Sequence, residues 1–476
     1  MKLFSMRNLH LWHRWLGIAL GVLVLLWFIS GAVMLFVAYP KLTQEERIPR
    51  LEAVAPGLVR IAPAQVAAML GGELDKLRLA MHDGRPLYHA LHQDSWHSVW
   101  ADSGEKLSVT PNDVRISAQA FLPGASIINT ELIERDQWSI SSSLHAHRPL
   151  HRVTFSNGNV LYLSSRTAEV VLDTSRSERA WNWLGSVIHW IYFTPLRFDY
   201  TQVWRQVVMW LSFPATAMSL MGIWLGIDRL RLRRRYKGGR MTPYRGWAKW
   251  HHVSGLLAGV LCLTWLFSGW LSMKPFDMFS GKKLSEQESR HWAGKPPYGP
   301  LPALPAQIGA TEKIGEIEWI YFAGRPILLG LTQHRTWMLD AASGAPLAPF
   351  AAAAFTAQAA GMLPHAGIKA ATWLEHGDRY YYGKRLEAAS PVIRIDLDDI
   401  SATSYYIDPA TTRIVASQDH GSRTYRWLFA ALHRLDFAPL DNAEIPRWIV
   451  VILFSIGGVI LTAAGMVMGW RRLTRA

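Results

Sequence analysis

The chain has 476 residues, a net charge of +14 and a single cysteine, Cys262. Its length would allow about three soluble domains, but its apolar residues are concentrated in four long runs. With one cysteine, the chain can form no intrachain disulfide, and it offers neither a Cys-x-x-Cys-His haem attachment motif nor the thiolates of an iron–sulfur cluster.

The four apolar runs are long enough to cross a membrane as helices, since a ~30 Å hydrocarbon core takes roughly 20 residues. They cover residues 14–38, 204–227, 252–273 and 446–470. None carries a charged residue in its central part, which favours membrane helices over buried soluble helices. The first run is too long for a signal peptide and lacks a small-residue cleavage site, so we expect an uncleaved anchor.

Basic residues flank these runs on one side of the membrane. They precede the first run (Lys2, Arg7, Arg14), follow the second (Arg229, Arg231, Arg233, Arg234, Arg235, Lys237, Arg240) and follow the fourth (Arg471, Arg472, Arg475). The positive-inside rule makes these segments cytoplasmic, with both termini. The run 229–240 could also contact nucleic acid, but a topology signal is the commoner meaning beside a span. We therefore predict a multi-pass protein of a bacterial inner membrane, without a nucleic-acid partner.

The same pattern occurs twice along the chain. Trp12–His13, Gly17, Gly21 and Ser30–Gly31 recur at a constant offset as Trp250–His251, Gly255, Gly259 and Ser268–Gly269. His189, in Trp183–His189, recurs as His433 in Trp427–His433, and Gly84–Leu87 recurs as Gly324–Ile327. The fold expected is an α-helical membrane protein, an internally duplicated four-helix transmembrane bundle with two periplasmic α+β domains.

The outer loops contain strand and turn signals. Hairpins are predicted at 153–163, around Asn157–Gly158, and at 404–416. Short helices are predicted at 63–70, 113–121 and 353–362, and aromatic interfacial helices at 178–192 and 422–435, ended by Pro195 and Pro439. The predicted divisions are 1–39 (first transmembrane helix), 40–203 (first periplasmic domain), 204–228 (second helix), 229–250 (basic cytoplasmic loop), 251–273 (third helix), 274–445 (second periplasmic domain) and 446–476 (fourth helix and tail).

His13 and His251 begin two spans at equivalent positions near the inner rim, so under two-fold pseudosymmetry they can meet around one iron. Gly17 and Gly255 lie one turn deeper, and with Gly21 and Gly259 they would leave a slot for a flat macrocycle. The alternative is small-residue helix packing beside histidines that only snorkel. His10 and His252 are neighbours that could serve instead.

His189 and His433 form an equivalent pair at the outer rim. We favour a second bis-histidine haem b there; the alternatives are that the two bind a substrate metal or only pack. Two haems would divide the insulating core into shorter electron transfers, and bis-histidine ligation leaves no open iron position. Arg14, Arg434 and Arg148 could pair with haem propionates or equally contact lipid.

Other outer residues leave alternatives open. His145, His147 and His151 could ligate a metal from one strand face or belong to a polar loop, and His89, His92 and His97 lie in a predicted strand pair. The many outer aromatic residues could line a ligand pocket or form small cores. The chain has no dinucleotide-binding or phosphate-binding glycine motif, so electrons would come from a membrane quinol or a separate cytoplasmic reductase.

The chain resembles the PepSY-associated transmembrane family, often described as iron-regulated membrane proteins. The resemblance rests on Leu11–Gly17 (Leu-Trp-His-Arg-Trp-Leu-Gly), Trp250–Gly255, Leu432–Leu435, Gly469–Arg472 and the strand–turn segment Tyr406–Val415. It covers nearly the whole chain, although His251 is followed by His-Val and His189 by Trp, where the family usually has arginine.

The resemblance implies PepSY-like outer modules, and some members of the family resemble ferric-siderophore reductases of the inner membrane. The implied function is a haem-b reductase that passes electrons to a periplasmic ferric siderophore and so releases iron for uptake. Two other functions stay open: a non-enzymatic regulator or chaperone whose PepSY modules bind a protein, and a transporter of the iron complex. The spans carry no charged residue near their midplanes, and this argues against the transporter.

Overall fold

A computed structural model describes residues 5–279, 281, 283–294, 302–306, 308, 312–363, 365–383, 391–437, 440 and 443–474. The chain folds into two compact units. The helical unit comprises Met1–Tyr39, Ala180–Gly281 and His420–Ala476, and the sheet unit comprises Pro40–Arg179 and Lys282–Asp419.

The described α-helices range from single turns to spans of eight turns. They are α1 (Met6–Val33), α2 (Gln44–Arg47), α3 (Pro63–Met69), α4 (Pro111–Phe121), α5 (Arg176–Asn182), α6 (Ile188–Trp190), α7 (Thr201–Arg229), α8 (Gly246–Ser272), α9 (Glu286–Ala293), α10 (Ala352–Ala360), α11 (His420–Tyr425), α12 (Leu432–Arg434) and α13 (Glu444–Leu473). Short 3₁₀ helices cover Ile48–Arg50, Pro56–Leu58, Ser142–His147 and Pro275–Asp277, and π-helical turns cover Trp183–Val187, Pro195–Asp199 and Arg426–Ala431.

The described strands all pair antiparallel. They are β1 (Lys76–His82), β2 (Arg85–His92), β3 (Ser95–Trp100), β4 (Ile127–Ile133), β5 (Leu150–Phe155), β6 (Val160–Ser164), β7 (Val170–Thr174), β8 (Glu316–Phe322), β9 (Arg325–Leu331), β10 (Thr336–Asp340), β11 (Ile368–Leu374), β12 (Val392–Leu397), β13 (Ser404–Ile407) and β14 (Ile414–Gln418). The two predicted hairpins are β5–β6 and β13–β14.

Among the described residues, four helices are long and apolar enough to cross a membrane: α1, α7, α8 and α13. α1 packs against α7 and α13, and α8 packs against the same two, so α1 and α8 lie diagonally across the bundle. The first span begins at Met6, earlier than predicted, because Ser5 caps it by accepting a hydrogen bond from the Asn8 backbone. The prediction that His13 and His251 begin their spans was therefore wrong, since both lie inside their helices.

Two matching segments of the helical unit carry the other predicted histidines. α5 and α11 each run into a π-helical turn, which is followed by α6 and α12 respectively. Both segments end at a residue with left-handed backbone, Ile191 (φ 52°) and Leu435 (φ 51°). The prediction that Pro195 ends the first segment was wrong, because the chain leaves the helix at Ile191 and Pro195 begins the next π turn. Pro439 lies outside the described residues.

The sheet unit is built around a six-stranded sheet with the order β10-β9-β8-β1-β2-β3. Its centre is the pairing of β1 with β8, with Arg78 opposite Glu318. Each half of the chain therefore contributes three strands to one sheet, instead of forming the two separate domains that the sequence predicts. A strand of alternating burial can lie at an edge or in the middle of a sheet, so the alternation alone does not reveal this pairing.

Two four-stranded sheets complete the sheet unit, in the orders β4-β5-β6-β7 and β11-β12-β13-β14. α4 packs on the first through a core that includes Val114, Phe121 and Phe155. α10 and Trp292 pack between the second sheet and β8–β10. Five of the ten aromatic residues predicted either to line a pocket or to form cores are buried: Trp96, Trp138, Trp292, Trp319 and Tyr381.

A network of buried charges links strands that are distant in sequence. Arg78 bonds Glu316 at 2.6 Å and Glu169 at 3.0 Å, and Arg47 bonds Glu316 at 2.9 Å. Burial by itself raises the pKa of Glu169, but Arg78, His89 and Arg47 together outweigh it and hold that pKa well below its usual range. A buried carboxylate is tolerated here because it is paired.

Candidate functional site

The first histidine pair is His13 on α1 and His251 on α8. These diagonal helices place the two imidazoles opposite each other within the bundle, with ring centroids 6.0 Å apart and planes inclined by 49°. The Nδ1 atom of His13 lies 3.0 Å from the Met218 carbonyl oxygen on α7, and that of His251 lies 2.9 Å from the Leu461 carbonyl oxygen on α13. Each ring is thus tied to the helix beside it.

The second histidine pair is His189 in α6 and His433 in α12. Its ring centroids are also 6.0 Å apart, with planes inclined by 68°. The Nδ1 atom of His189 lies 3.1 Å from Ser30 Oγ on α1, and that of His433 lies 3.0 Å from Ser268 Oγ on α8. The structure therefore pairs the four histidines as the sequence predicts.

The hydrogen-bond partners favour the tautomer that carries its proton on Nδ1 in all four histidines. A carbonyl oxygen only accepts, so Nδ1–H is the donor in His13 and His251. The Ser30 hydroxyl donates to the Trp27 carbonyl at 3.3 Å, and the Ser268 hydroxyl donates to the Thr264 carbonyl at 2.6 Å. Each serine has one proton, and with that proton on the backbone carbonyl the serine oxygen accepts from its histidine. In a neutral imidazole the Nε2 lone pair is then available to a metal.

Glycines on the adjoining helices make room for the four rings. A methyl group added at Gly222 would lie 2.7 Å from His13 Cε1, and one added at Gly465 would lie 3.1 Å from His251 Cε1. The corresponding distances are 3.2 Å from Gly31 to His189 Cε1 and 3.6 Å from Gly269 to His433 Cε1. The repeated Ser-Gly dipeptide thus supplies both a hydrogen-bond acceptor and space for the ring.

Four other repeated glycines, which the sequence suggests would leave a slot for a macrocycle, lie beside side chains of neighbouring helices. A methyl group at Gly17 or Gly21 would meet the side chain of Met218 or Met466, and one at Gly255 or Gly259 would meet Leu461 or Ile223, at 3.2–3.9 Å. Close helix packing, the alternative interpretation, accounts for these contacts.

The two pairs lie near opposite ends of the bundle. His13 and Ser30, which mark the two levels on α1, are 17 residues apart, and that corresponds to about 25 Å along the helix axis. Between the levels lies an apolar core that includes Leu20, Val24, Phe28, Cys262 and Leu266. The arrangement provides two similar paired-imidazole sites separated by most of a bilayer.

The two histidines next to the first pair in sequence, His10 and His252, have different surroundings from the pair itself. His252 turns toward α7, where its Nε2 lies 2.9 Å from the Gly226 carbonyl oxygen, and its ring lies 5.2 Å from that of Tyr244. His10 precedes His13 by one turn and lies near Arg229, Asp228 and Arg14. His251 therefore pairs with His13, while His252 faces another helix.

Two of the three arginines predicted to meet propionates have protein partners. Arg434 forms an ion pair with Asp436 at 3.2 Å, and its side chain is 59% exposed. Arg148 donates hydrogen bonds to the carbonyl oxygens of Glu134 and Ser139 in the sheet unit. Both guanidinium groups therefore bond to protein atoms in this structure.

The outer histidine cluster does not lie on one strand. His145 and His147 belong to a 3₁₀ helix and only His151 lies in a strand, so of the two alternatives, ligation from one strand face was wrong. His147 stacks on Trp96, with ring centroids 5.5 Å apart, and burial lowers its pKa to about 4. Over the described ranges of the chain, no group of three or more His, Cys, Asp and Glu residues could hold a metal ion.

The other outer histidines lie in the predicted strand pair β2–β3. His89 is buried, its Nδ1 lies 2.9 Å from Ser98 Oγ, and burial lowers its pKa to about 4. His92 Nδ1 bonds the Glu73 carbonyl at 2.6 Å. Their contacts are those of a packed sheet.

Sequence reasoning missed the residues that orient the four imidazoles. Ser30 and Ser268 stand out in the sequence only as part of a repeat, and nothing there indicates that they accept from histidine. Gly222 and Gly465 also lie at matching places in the second and fourth spans, and a comparison of those spans could have found them.

Four apolar helices of membrane-spanning length, joined to antiparallel sheets, define a membrane protein with a substantial non-membrane part. The family model described as the PepSY-associated TM region matches residues 10–472, and the chain belongs to this family. A comparison with curated proteins found no match.

Proposed function

We propose that this protein is a haem-b reductase of the bacterial inner membrane that passes electrons to a ferric siderophore in the periplasm. One observation carries the proposal: two pairs of half-buried imidazoles, each pair with ring centroids 6.0 Å apart and every Nδ1 engaged in a hydrogen bond. Nothing in the packing of an apolar bundle requires four such histidines, and ionisable groups in a membrane usually serve a function.

The spacing within each pair fits bis-histidine ligation. An imidazole nitrogen binds a transition metal at about 2 Å, and the ring centre lies about 1 Å behind that nitrogen, so two axial imidazoles have centres about 6 Å apart. The Nδ1–H donors match the outer partners that metal-bound histidines usually have. His13 and His251 would hold one haem, and His189 and His433 the other.

When bound, haem iron with two axial histidines supplies one-electron transfer without an open position for oxygen. The chain's own residues orient and insulate the sites: carbonyl oxygens hold the first pair, serine hydroxyls hold the second, and the apolar core around Val24 and Phe28 keeps water from the space between them. This arrangement supports electron transfer across the membrane in two shorter stages.

Other observations support the orientation of the bundle in the membrane and the identity of the electron acceptor. Basic residues flank the end of the bundle that holds the first pair, including Arg229 and Arg471, which favours a cytoplasmic location for that end. The second pair then faces the periplasm. The resemblance of some family members to siderophore reductases supports a ferric chelate as acceptor. Reduction weakens the hold of hard oxygen ligands on iron, so the released metal becomes available for uptake.

The haem content of the purified full-length protein tests the ligand assignment. We expect two b-type haems per chain by the pyridine haemochrome method, and about one after either His13→Ala or His433→Ala. His252→Ala is the matched control and should keep both, because its ring faces α7. A protein that stays colourless after haem supplementation would contradict the proposal and favour the regulator. Full haem content in all of the ligand variants would contradict the assignment.

Electron transfer to the acceptor needs a second assay. Reduced protein mixed with a ferric trihydroxamate chelate should be reoxidised, and ferrozine should trap the Fe(II) that forms. The gallium(III) complex of the same chelator is the control, since gallium(III) cannot accept the electron but has the same shape. Reoxidation by neither complex would contradict the assignment of a ferric chelate as the acceptor, even if both haems are present.

A further inference from the structure

An apolar groove of about 600 Å³ lies between α1 and α7. Its walls include Trp12 and Trp15 from α1 and Ala217 and Leu220 from α7. Trp15 is 53% exposed and Leu220 is 58% exposed, so the groove opens on the outer surface of the bundle, where lipid would lie. Its volume is in the range of small-molecule sites.

The groove adjoins the first histidine pair. Trp12 directly precedes His13, and the α7 wall surrounds Met218, whose carbonyl oxygen accepts the His13 hydrogen bond at 3.0 Å. The same short stretch of α7 therefore forms one wall of the groove and orients His13. A molecule in the groove would lie beside the first pair and far from the second.

A histidine lies on the same turn of α1 as two residues of this apolar groove. His10 lies between groove residues Leu9 and Trp12 in sequence, and Asp228 is among the charged groups near it. Asp228 is paired with Arg229 at 3.3 Å, and its side chain is 45% exposed. An imidazole followed by a partly exposed carboxylate offers a route for protons to leave. A lipid acyl chain neither forms hydrogen bonds nor exchanges protons with such groups.

The imidazole of His10 has no counterpart in the second half of the repeat. Trp12 and His13 have counterparts in Trp250 and His251, but Ala248 stands at the position that corresponds to His10. The segment between α7 and α8, residues 230–245, is also shorter than the ~30 residues of a single βαβ unit. That segment cannot form a nicotinamide or flavin domain, so the electrons come from another molecule, and a groove that opens toward lipid beside His13 favours a membrane quinol over a separate reductase.

We propose that this groove binds a membrane quinol and that the quinol is the electron donor. The proposal rests on the proposed function and adds the donor to it. Oxidation breaks the two O–H bonds of the quinol: two electrons leave singly toward the first histidine pair, and two protons leave through His10 and Asp228. The product is the quinone, and each electron reduces one ferric ion.

Photolabelling with a short-chain azido-ubiquinone tests binding without relying on activity. The label should attach to peptides of α1 and α7 in the full-length protein, and excess decylubiquinone should displace it. Leu220→Trp should fill the groove and weaken labelling about tenfold or more. Leu453→Trp is the matched control, because Leu453 is 62% exposed on the surface of α13 and should leave labelling unchanged.

The reduction rate provides the second measurement. Decylubiquinol should reduce the wild type rapidly and Leu220→Trp about tenfold or more slowly, while dithionite reduces both completely. His10→Gln should keep the photolabel but slow quinol-driven reduction. Labelling elsewhere, equal loss in Leu453→Trp, or displacement by phospholipid as readily as by quinone would overturn the quinol site. A protein with two haems that quinol cannot reduce would leave the proposed function standing, whereas a protein without haem would remove that function itself.

Discussion

Gly222→Ala is the substitution with the sharpest expected effect on the first histidine pair. The added methyl group would lie 2.7 Å from Cε1 and 3.3 Å from Nδ1 of His13, whereas unstrained carbon contacts begin at about 3.5 Å. The ring must therefore move by about 0.8 Å, away from the Met218 carbonyl oxygen and out of its spacing with His251. The change is not expected to weaken the helix, because alanine favours helices more than glycine does.

The expected loss of haem affinity follows from two free-energy costs. Overpacking a buried site costs about 1–3 kcal/mol, and a weakened neutral hydrogen bond costs about 1 kcal/mol. Together they predict about 30- to 1,000-fold weaker binding of one haem. The assay is haem content after purification and dilution, with two haems per chain expected to fall toward one.

Gly226→Ala is the matched control for this prediction. It makes the same change one turn further along α7, where the methyl group would meet Leu256 Cδ2 at 3.1 Å. That contact is with the end of a flexible side chain, so both haems should remain. Two haems with unchanged spectra in Gly222→Ala would refute the argument that the glycine is needed to seat His13.

Three further predictions concern other parts of the molecule. Ser268→Ala removes the acceptor of the His433 Nδ1–H bond and should weaken binding of the second haem about 10- to 100-fold, measured by haem release to apomyoglobin. Arg78→Met leaves buried carboxylates underpaired and should lower the free energy of unfolding by about 3–5 kcal/mol in denaturant titrations. Because burial lowers the pKa of His89 to about 4, its unfolded form binds a proton first as pH falls below about 6.5, so the free energy of unfolding should fall by about 2 kcal/mol between pH 7 and pH 5.

Each of these predictions has a control. Ser254→Ala should keep the second haem, because the Ser254 hydroxyl bonds only carbonyls of its own helix. Arg85→Met breaks an exposed pair with Asp102 and should cost no more than about 1 kcal/mol. His89→Gln is neutral at both pH values and should remove its share of the pH dependence. An equal fall in stability with and without His89 would assign that dependence to other groups.

The sheet unit shows where reasoning from the sequence stops. The hairpins β5–β6 and β13–β14 were predicted because their strands and turn residues are adjacent in the chain. The pairing of β1 with β8 joins residues far apart in sequence, and only their packing brings them together. The same pairing places Arg78 opposite Glu318 at the centre of the sheet.

Corresponding ion pairs of the two halves have opposite polarity. Arg78 in β1 bonds Glu169 just before β7, whereas Glu318 in β8 bonds Arg413 just before β14. Each pair joins a central strand to the residue that precedes the last strand of a four-stranded sheet. In the sequence these four charged residues look like ordinary surface residues. The partner of each charge is set only when the sheets assemble.

The sequence by itself determined the four spans and the four histidines of the two pairs, because hydropathy and a repeated pattern can be read directly from the order of the residues. The sequence could not determine which nitrogen of each imidazole is available to bind a metal. That depends on whether Met218, Leu461, Ser30 and Ser268 present an acceptor at about 3 Å from Nδ1, and hence on how far each helix is rotated and shifted against its neighbour. Only the packed bundle sets those positions.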